Sequence, residues 1–141
     1  MDHILLDTNV LSELMRPKPA IEVLDWFKQQ QAVSFFVCAI TRAEILLGIA
    51  LLPAGKRRDS LAEAAEQMFN EDFSGRSLPF DGNCATNYAL LVAERSRCGH
   101  AISTEDGQIA AIALRHDLPL ATRNGKDFIG IEGLIVLNPW Q

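Results

Sequence analysis

Short apolar runs alternate with longer amphipathic stretches along this chain, and the alternation predicts an α/β protein. A continuous apolar run between polar residues is typical of a strand buried on both faces, whereas apolar positions at helical spacing indicate a helix. Strands are predicted at 4–6, 33–38, 77–81, 118–122 and 134–137. Helices are predicted at 8–15, 19–29, 42–51, 56–73, 82–98 and 106–114. Because the two kinds of element alternate, the strands should be parallel, with helices covering both faces of the sheet.

Two of the predicted helices, 42–51 and 106–114, are apolar on nearly all sides. A helix with this pattern is expected to be well buried. The second of them is also rich in Ala, so it should pack closely against its neighbours. Gly99 follows the helix at 82–98, as expected for the residue just beyond a helix C-terminus.

Composition and charge narrow the class of protein. The 141 residues fit one domain of ordinary size, 1–141, and nearly half are apolar. The net charge of −5 argues against a dedicated electrostatic nucleic-acid binder. It is still compatible with a nuclease whose acidic pocket is filled by metal.

The cysteines, the histidines and the N-terminal segment indicate where the protein works. An odd count of three cysteines without a C-x-x-C pair favours a reducing cytosol over a disulfide framework, and the three histidines lack zinc-ligand spacing. The chain does not start like a secretory signal and has no run of about 20 apolar residues. We therefore expect a cytoplasmic protein with no membrane association.

Four acidic residues occupy similar places in the predicted order of elements. Asp7 follows the first strand, Glu44 lies early in the helix after the second strand, Asp106 opens the Ala-rich helix, and Asp127 follows the strand that ends at Thr122. In a sheet of parallel strands such positions can meet at one carboxyl edge, where ligands of open α/β sheets bind.

Each of these residues also has an ordinary structural explanation. Asp7 can cap the helix that follows it, and Glu44 can complete a capping box begun by Thr41. Asp106 fits a capping box with Ser103, and Asp127 fits a simple turn. Taken singly, each structural explanation is at least as good as the functional one, and spacing alone leaves both open.

If the carboxylates do converge, their chemistry points to a metal. Clustered carboxylates repel one another unless they are protonated or neutralised. Mg²⁺ and Mn²⁺ prefer oxygen ligands and retain bound water. A site of this kind is suited to metal-assisted hydrolysis of a phosphodiester. The run Lys56-Arg57-Arg58 is either a solvated helix start, which we favour, or a phosphate contact.

Six stretches together resemble PIN-domain proteins of the VapC toxin class, and most closely the FitB-like branch. They are LLDTNVLSEL at 5–14, ITRAEILLGIALLPAGKRR at 40–58, LPFD at 78–81, EDGQIAAIA at 105–113, LATRNGKDF at 120–128 and the terminal NPWQ. The resemblance implies a PIN-like fold, with a five-stranded parallel sheet sandwiched by helices. It also implies a pocket of acidic residues that binds Mg²⁺ or Mn²⁺.

The resemblance assigns roles to individual residues. Asp7, Glu44 and Asp106 match the three firm acidic positions, as catalytic residues and metal ligands. Some relatives have Asp directly after Thr-Arg, where this chain has Asn124, with Asp127 three residues later. Whether Asn124 as a metal ligand, Asp127 as a catalytic carboxylate, or both complete the site is left open.

Four neighbouring residues are assigned supporting roles in the same site. Thr8 and Asn9 are expected to orient Asp7 or a bound water. Arg123 and Lys126 are candidates to hold flanking phosphates of the substrate.

The resemblance also implies a function and partners. The chain is expected to be the toxin of a type II toxin–antitoxin system, a metal-dependent endoribonuclease that cleaves tRNA or rRNA. The expected partners are a VapB-like antitoxin and a second copy of the chain, in a homodimer and in a heterotetramer or larger assembly. Promoter DNA would be contacted only through the antitoxin.

Two other functions share features with this sequence. A FitB-like chain could act mainly as the partner of a DNA-binding antitoxin on promoter DNA, with little nuclease activity. A haloacid-dehalogenase-like phosphatase also starts with an apolar strand followed by Asp. That class requires a second carboxylate two residues later, where this chain has Asn9.

Overall fold

The bounds of the elements follow the apolar runs and the capping residues of the sequence. The computed structural model describes residues 2–141. The strands are β1 (His3–Leu6), β2 (Ser34–Cys38), β3 (Ser77–Leu78), β4 (Leu120–Ala121) and β5 (Val136–Leu137). The helices are α1 (Thr8–Leu14), α2 (Ile21–Gln29), α3 (Ala39–Ala50), α4 (Lys56–Gln67), α5 (Gly82–Arg97) and α6 (Thr104–Arg115). A π-helical turn at Met68–Asp72 continues α4, and a 3₁₀ turn at Gly125–Phe128 follows β4.

The five strands form one parallel sheet, as predicted, and their order in the sheet is β3-β2-β1-β4-β5. The first strand therefore lies at the centre, with Leu5 opposite Phe36 of β2 and opposite Leu120 of β4. The chain leaves β1 toward one side of the sheet and later returns to its other side. The gap between β1 and β4 at the carboxyl edge is thus the topological switch point, where α/β sheets place their ligands.

Alternate residues of the central strands pack into two separate cores. Leu5 and Leu120 contact the core formed with α5 and α6, whereas Ile4 and Leu6 contact the core formed with α1, α3 and α4. All four side chains are essentially inaccessible to solvent. Burial on both faces explains why residues 4–6 of β1 form an uninterrupted apolar run rather than an alternating one.

The Ala-rich helix α6 is buried as predicted and packs very closely against α5. A Cβ atom placed on Gly107 would lie 3.0 Å from Cε1 of Tyr88 and 3.1 Å from Cγ2 of Val92. Gly99, with φ of 75°, lies just beyond α5 in the left-handed conformation that glycine favours at helix ends.

Two predictions about α3 are wrong. The helix begins at Ala39, so Thr41 lies inside it and is not its cap. One side of α3 is also exposed despite its apolar pattern, with Leu46 37% and Leu47 59% accessible. Apolar periodicity shows that a face avoids water, but it does not show that this chain alone covers that face.

The remaining differences concern the lengths of the outer strands. Pairing at β3, β4 and β5 covers two residues each, less than the apolar runs predicted.

Cys38, Cys84 and Cys98 are free thiols, consistent with the predicted lack of a disulfide framework. Within residues 2–141, no helix combines the length and apolar character needed to cross a bilayer.

Candidate functional site

Asp7 stands at the centre of the carboxyl edge, immediately after β1, and is only 4% exposed. Its Oδ1 accepts the backbone N–H of Thr8 at 2.8 Å, so it does cap α1. Its Oδ2 accepts the hydroxyl of Thr122, at the end of the neighbouring strand, at 2.7 Å. The two explanations of Asp7 as cap and as site residue are therefore compatible, because each oxygen has its own partner.

Glu44 is tied to this edge by a threonine and not by a capping box. The hydroxyl of Thr8 donates to Oε1 of Glu44 at 2.7 Å, and the hydroxyl of Thr41 lies 3.0 Å from the same Thr8 oxygen. Thr41 in turn accepts the Cys38 thiol at 3.7 Å. The predicted Thr41–Glu44 capping box is wrong, and Glu44 lies on α3 facing the residue that follows Asp7.

Asn9 and Thr122 connect the segment that follows β1 to the segment that follows β4. The amide nitrogen of Asn9 donates to Thr122 Oγ1 at 3.2 Å and approaches Asp7 Oδ2 at 3.4 Å. Its amide oxygen accepts the backbone N–H of Arg123 at 3.2 Å. Asn124 takes part through its backbone N–H, which donates to Thr122 at 3.1 Å, while its side chain is exposed.

Asp106 is half-buried in the first turn of α6, where Ser103 Oγ accepts its backbone N–H at 3.1 Å. The predicted N-cap at Ser103 is therefore confirmed. Burial raises the pKa of Asp106, and the negative charges of Asp127 and Glu44 raise it further. The four acidic residues thus act on one another across the carboxyl edge.

The electrostatic cost of this cluster is largest at Asp7. Burial raises the pKa of Asp7 from 3.8 to about 6, and the charges of Asp106 and Glu44 add to the rise. The hydrogen bonds from Thr122 and from the Thr8 backbone lower the pKa and offset part of that effect. In residues 2–141 the side-chain ion pairs join Arg16 to Glu13 and Arg97 to Glu94, so none neutralises the cluster.

The donor chemistry of the cluster fits a hard divalent cation. It offers oxygen atoms and uncompensated negative charge, which are what Mg²⁺ and Mn²⁺ require. Across the part of the chain that the structure describes, no group of three or more His, Cys, Asp and Glu side chains is placed so that it could hold a metal ion. The residues match the cation in type and charge but are not arranged as a complete ligand set.

The two predicted phosphate-binding residues lie beside the acidic edge. The guanidinium of Arg123 stacks over the ring of Trp140, 5.0 Å from its centroid. Lys126 and Asn124 line a pocket together with Arg123. Asn124 therefore lines the basic pocket, whereas the negative charge of Asp127 raises the pKa of Asp106.

Sequence reasoning missed two residues that hold the site together. Thr122 donates its hydroxyl to Asp7. The sequence did contain a signal for this role, because Thr122 directly follows β4 just as Asp7 directly follows β1. Arg95 is 9% exposed, donates to the carbonyl of Asp127 at 2.9 Å and also to that of Ile129. It fixes the backbone that carries Asp127, but its position within α5 gave no signal in the sequence.

Comparison with known proteins extends over nearly the whole chain. A family model described as PIN domain matches residues 4–134. Over 138 residues the chain is 46% identical to plasmid stability protein StbB of Pseudomonas syringae pv. tomato, with 98% of this chain and 99% of that protein covered. It is 42% identical to toxin FitB of Neisseria gonorrhoeae, with 98% and 99% covered, and 41% identical to VapC ribonuclease Y4jK of Sinorhizobium fredii, with 98% of each covered. A solved structure of FitAB bound to the IR36 DNA fragment matches with a TM-score of 0.90 at 41% identity, covering 98% of this chain and 96% of that chain.

Proposed function

This chain belongs to the PIN-domain family, and we propose that it is the toxin of a toxin–antitoxin pair, an endoribonuclease that requires Mg²⁺ or Mn²⁺. Relatives that the chain matches almost end to end include a toxin and a VapC ribonuclease. The cytoplasm, where tRNA and rRNA act, is the compartment in which we expect it to work.

One observation carries the proposal. Carboxylates that follow β1 or lie on α3, α6 and the 3₁₀ turn act on one another at a single sheet edge. Burial raises the pKa of Asp7 to about 6, and the negative charges of Asp106 and Glu44 add to the rise. A merely structural cluster would be expected to include a neutralising Arg or Lys, and the described ion pairs lie elsewhere. Perturbed carboxylates without a positively charged protein partner are typical of a site whose counter-charge comes from a ligand.

We assign Asp7, Asp106 and Glu44 as the residues that would hold the cation. Asp127 adds negative charge beside Asp106. Such a cation, when bound, supplies a Lewis acid that neutralises phosphate charge and makes water more acidic. The side chain of Asn124 is exposed and lines the neighbouring basic pocket, so it is not our first choice as a ligand.

The remaining residues would hold these carboxylates in place, and Glu44 would accept the proton of the attacking water. The hydroxyls of Thr122 and Thr8 fix one oxygen each of Asp7 and Glu44, leaving the second Glu44 oxygen free to accept a proton from an attacking water. Asn9 keeps β1 and β4 in register at the site through its bonds to Thr122 and Arg123. Arg123 and Lys126 would then hold flanking phosphates of the RNA.

A cleavage assay with the purified, antitoxin-free chain tests this function. We expect RNA cleavage in Mg²⁺ or Mn²⁺ and none in EDTA, and we expect a loss of about 100-fold or more in Asp7→Asn and Asp106→Asn. Asp25→Asn, which removes an exposed carboxylate of α2, is the matched control. Cleavage by both site variants at the parent rate would refute the assignment.

A second function is favoured by one specific comparison. The structure that matches at a TM-score of 0.90 is a complex bound to DNA, so the chain could serve with a DNA-binding antitoxin at promoter DNA. The net charge of −5 fits DNA contacts made by the antitoxin rather than by this chain. Loss of growth inhibition in Asp7→Asn, with promoter binding by the complex retained, would show that the two roles are separable.

We also propose that the chain forms a homodimer, and larger assemblies with an antitoxin. The two leucines of α3, Leu46 and Leu47, are exposed and form an apolar surface that a partner would cover. An antitoxin that presents Arg or Lys to the acidic cluster would neutralise it through charge-assisted hydrogen bonds.

A further inference from the structure

A basic pocket lies next to the acidic edge, on the side of β4 and β5. It has a volume of about 610 Å³ and is lined by the cationic side chains of Arg123 and Lys126 and by the amides of Asn124 and Asn138. Val136 and the exposed Ile129 supply apolar surface, and no acidic side chain lines the pocket. A cationic pocket is unexpected on a chain whose net charge is −5.

The terminal Asn-Pro-Trp segment explains how Arg123 is held in this pocket. The side-chain oxygen of Asn138 accepts the backbone N–H of Trp140 at 2.9 Å, which fixes the turn. Trp140 packs against the second core and places its ring 5.0 Å below the Arg123 guanidinium. The guanidinium is therefore oriented by an aromatic face while its N–H donors stay available to a ligand.

The backbone of the same segment joins the pocket to the acidic site. Arg123 donates its backbone N–H to Asn9, and Asn124 donates its backbone N–H to Thr122, the residue that binds Asp7. The pocket therefore adjoins the residues that contact Asp7. A substrate strand that crosses the acidic edge would continue into the pocket.

We propose that this pocket binds one nucleotide of single-stranded RNA beside the phosphodiester that is cleaved, and that Trp140 is a positioning residue for Arg123. The inference rests on the proposed ribonuclease function and adds a substrate subsite to it. Arg123 and Lys126 contact phosphate, the apolar surface packs against the base, and the amide groups bind the base edge. Single-stranded RNA is recognised in this way because its unstacked bases are accessible.

Direct binding in EDTA isolates this subsite from cleavage. A fluorescent, random-sequence single-stranded RNA is titrated with the full chain at several salt concentrations. Each lost phosphate contact should reduce the slope of log K against log[salt] by about 0.7, so Arg123→Met and Lys126→Met should each do so. Lys28→Met, which removes an exposed charge of α2 outside this pocket, should leave the slope unchanged.

The role of Trp140 requires a readout that simple loss of stability would not move. Trp140→Leu should weaken RNA binding about two- to fivefold, whereas Trp140→Phe, which keeps an aromatic face, should retain the parent affinity. In cleavage assays Trp140→Leu should raise KM for the long RNA and leave kcat unchanged. Equal binding by the Leu and Phe variants and the parent would overturn the positioning role.

The outcomes separate this inference from the function on which it rests. If the parent chain fails to cleave RNA in Mg²⁺ or Mn²⁺, the proposed function fails. If the parent cleaves RNA but Arg123→Met and Lys126→Met bind and cleave like the parent, the subsite is wrong. If these variants lose affinity only for the antitoxin, the pocket binds protein, and the RNA subsite is also wrong.

Discussion

Replacing Asp7 by Asn should stabilise the chain at neutral pH in the absence of divalent cations. The pKa of Asp7 rises from 3.8 to about 6 on folding, chiefly because the side chain is buried. The negative charge of Asp7 therefore costs the folded state about 3 kcal/mol above pH 6, at about 1.4 kcal/mol for each pKa unit. Asn removes that cost, although its amide nitrogen faces Thr122, which we expect to cost about 1 kcal/mol.

The sign of the pH dependence follows from the raised pKa. The protonated carboxyl stabilises the fold fully below pH 3.8, and this stabilisation is lost as the pH rises through about 6. Between about pH 5 and about pH 8 the parent should lose about 1.4 kcal/mol that the Asn variant does not lose. The variant should thus be about as stable as the parent at the lower pH, and more stable by about 1–2 kcal/mol at the higher pH.

Urea unfolding of parent and variant in EDTA at both pH values measures this difference, with Asp25→Asn as the control for the loss of one exposed carboxylate. Adding Mg²⁺ at the higher pH should stabilise the parent and leave the variant unchanged, because a ligand that binds only the folded state stabilises it. A variant that is less stable than the parent by the same amount at both pH values would refute the reasoning.

Three further changes have defined outcomes. Thr122→Val removes the hydroxyl that binds Asp7, so we expect a loss of about 1–3 kcal/mol in urea unfolding and an acid limb of the pH–rate profile displaced to higher pH. Gly107→Ala brings a methyl group within 3.0 Å of Tyr88. The crowding should cost about 1–3 kcal/mol, which exceeds the gain in helix propensity of about 1 kcal/mol, and thermal unfolding measures the net loss. Leu47→Glu, on the exposed face of α3, should convert a dimer to a monomer in light scattering without loss of helical circular dichroism, and an unchanged mass would exclude that face as the interface.

The central sheet could be predicted from sequence because burial on both faces leaves a direct trace in the residues. Ile4, Leu5 and Leu6 are all apolar because each faces a core, and the carboxylate of Asp7 marks the point where the strand reaches the edge. The carboxyl edge of the sheet could be predicted as well, because a carboxylate directly follows the buried apolar run. Bounds of the outer strands were less predictable, since their pairing covers only two residues each.

The internal bonds of the site could not be derived from local patterns. The spacing of Thr41 and Glu44 matches a capping box. The carboxylate of Glu44 instead accepts a hydrogen bond from the hydroxyl of Thr8, which is 36 positions away. Arg95 supports Asp127 from another helix through backbone carbonyls, which carry no sequence signal. Local rules describe what a residue can do with its neighbours in the chain, whereas these partners are chosen by the fold.

The central position of β1 also fixes when the protein can become active during its synthesis. The hydroxyl that binds Asp7 comes from Thr122, 115 positions later in the chain. Contacts between such distant segments form late, because the intervening chain must first be closed into a loop. A nascent chain therefore carries the first acidic residue from the start but cannot complete the cluster until β4 has left the ribosome. The acidic cluster is therefore complete only after most of the chain has been synthesised.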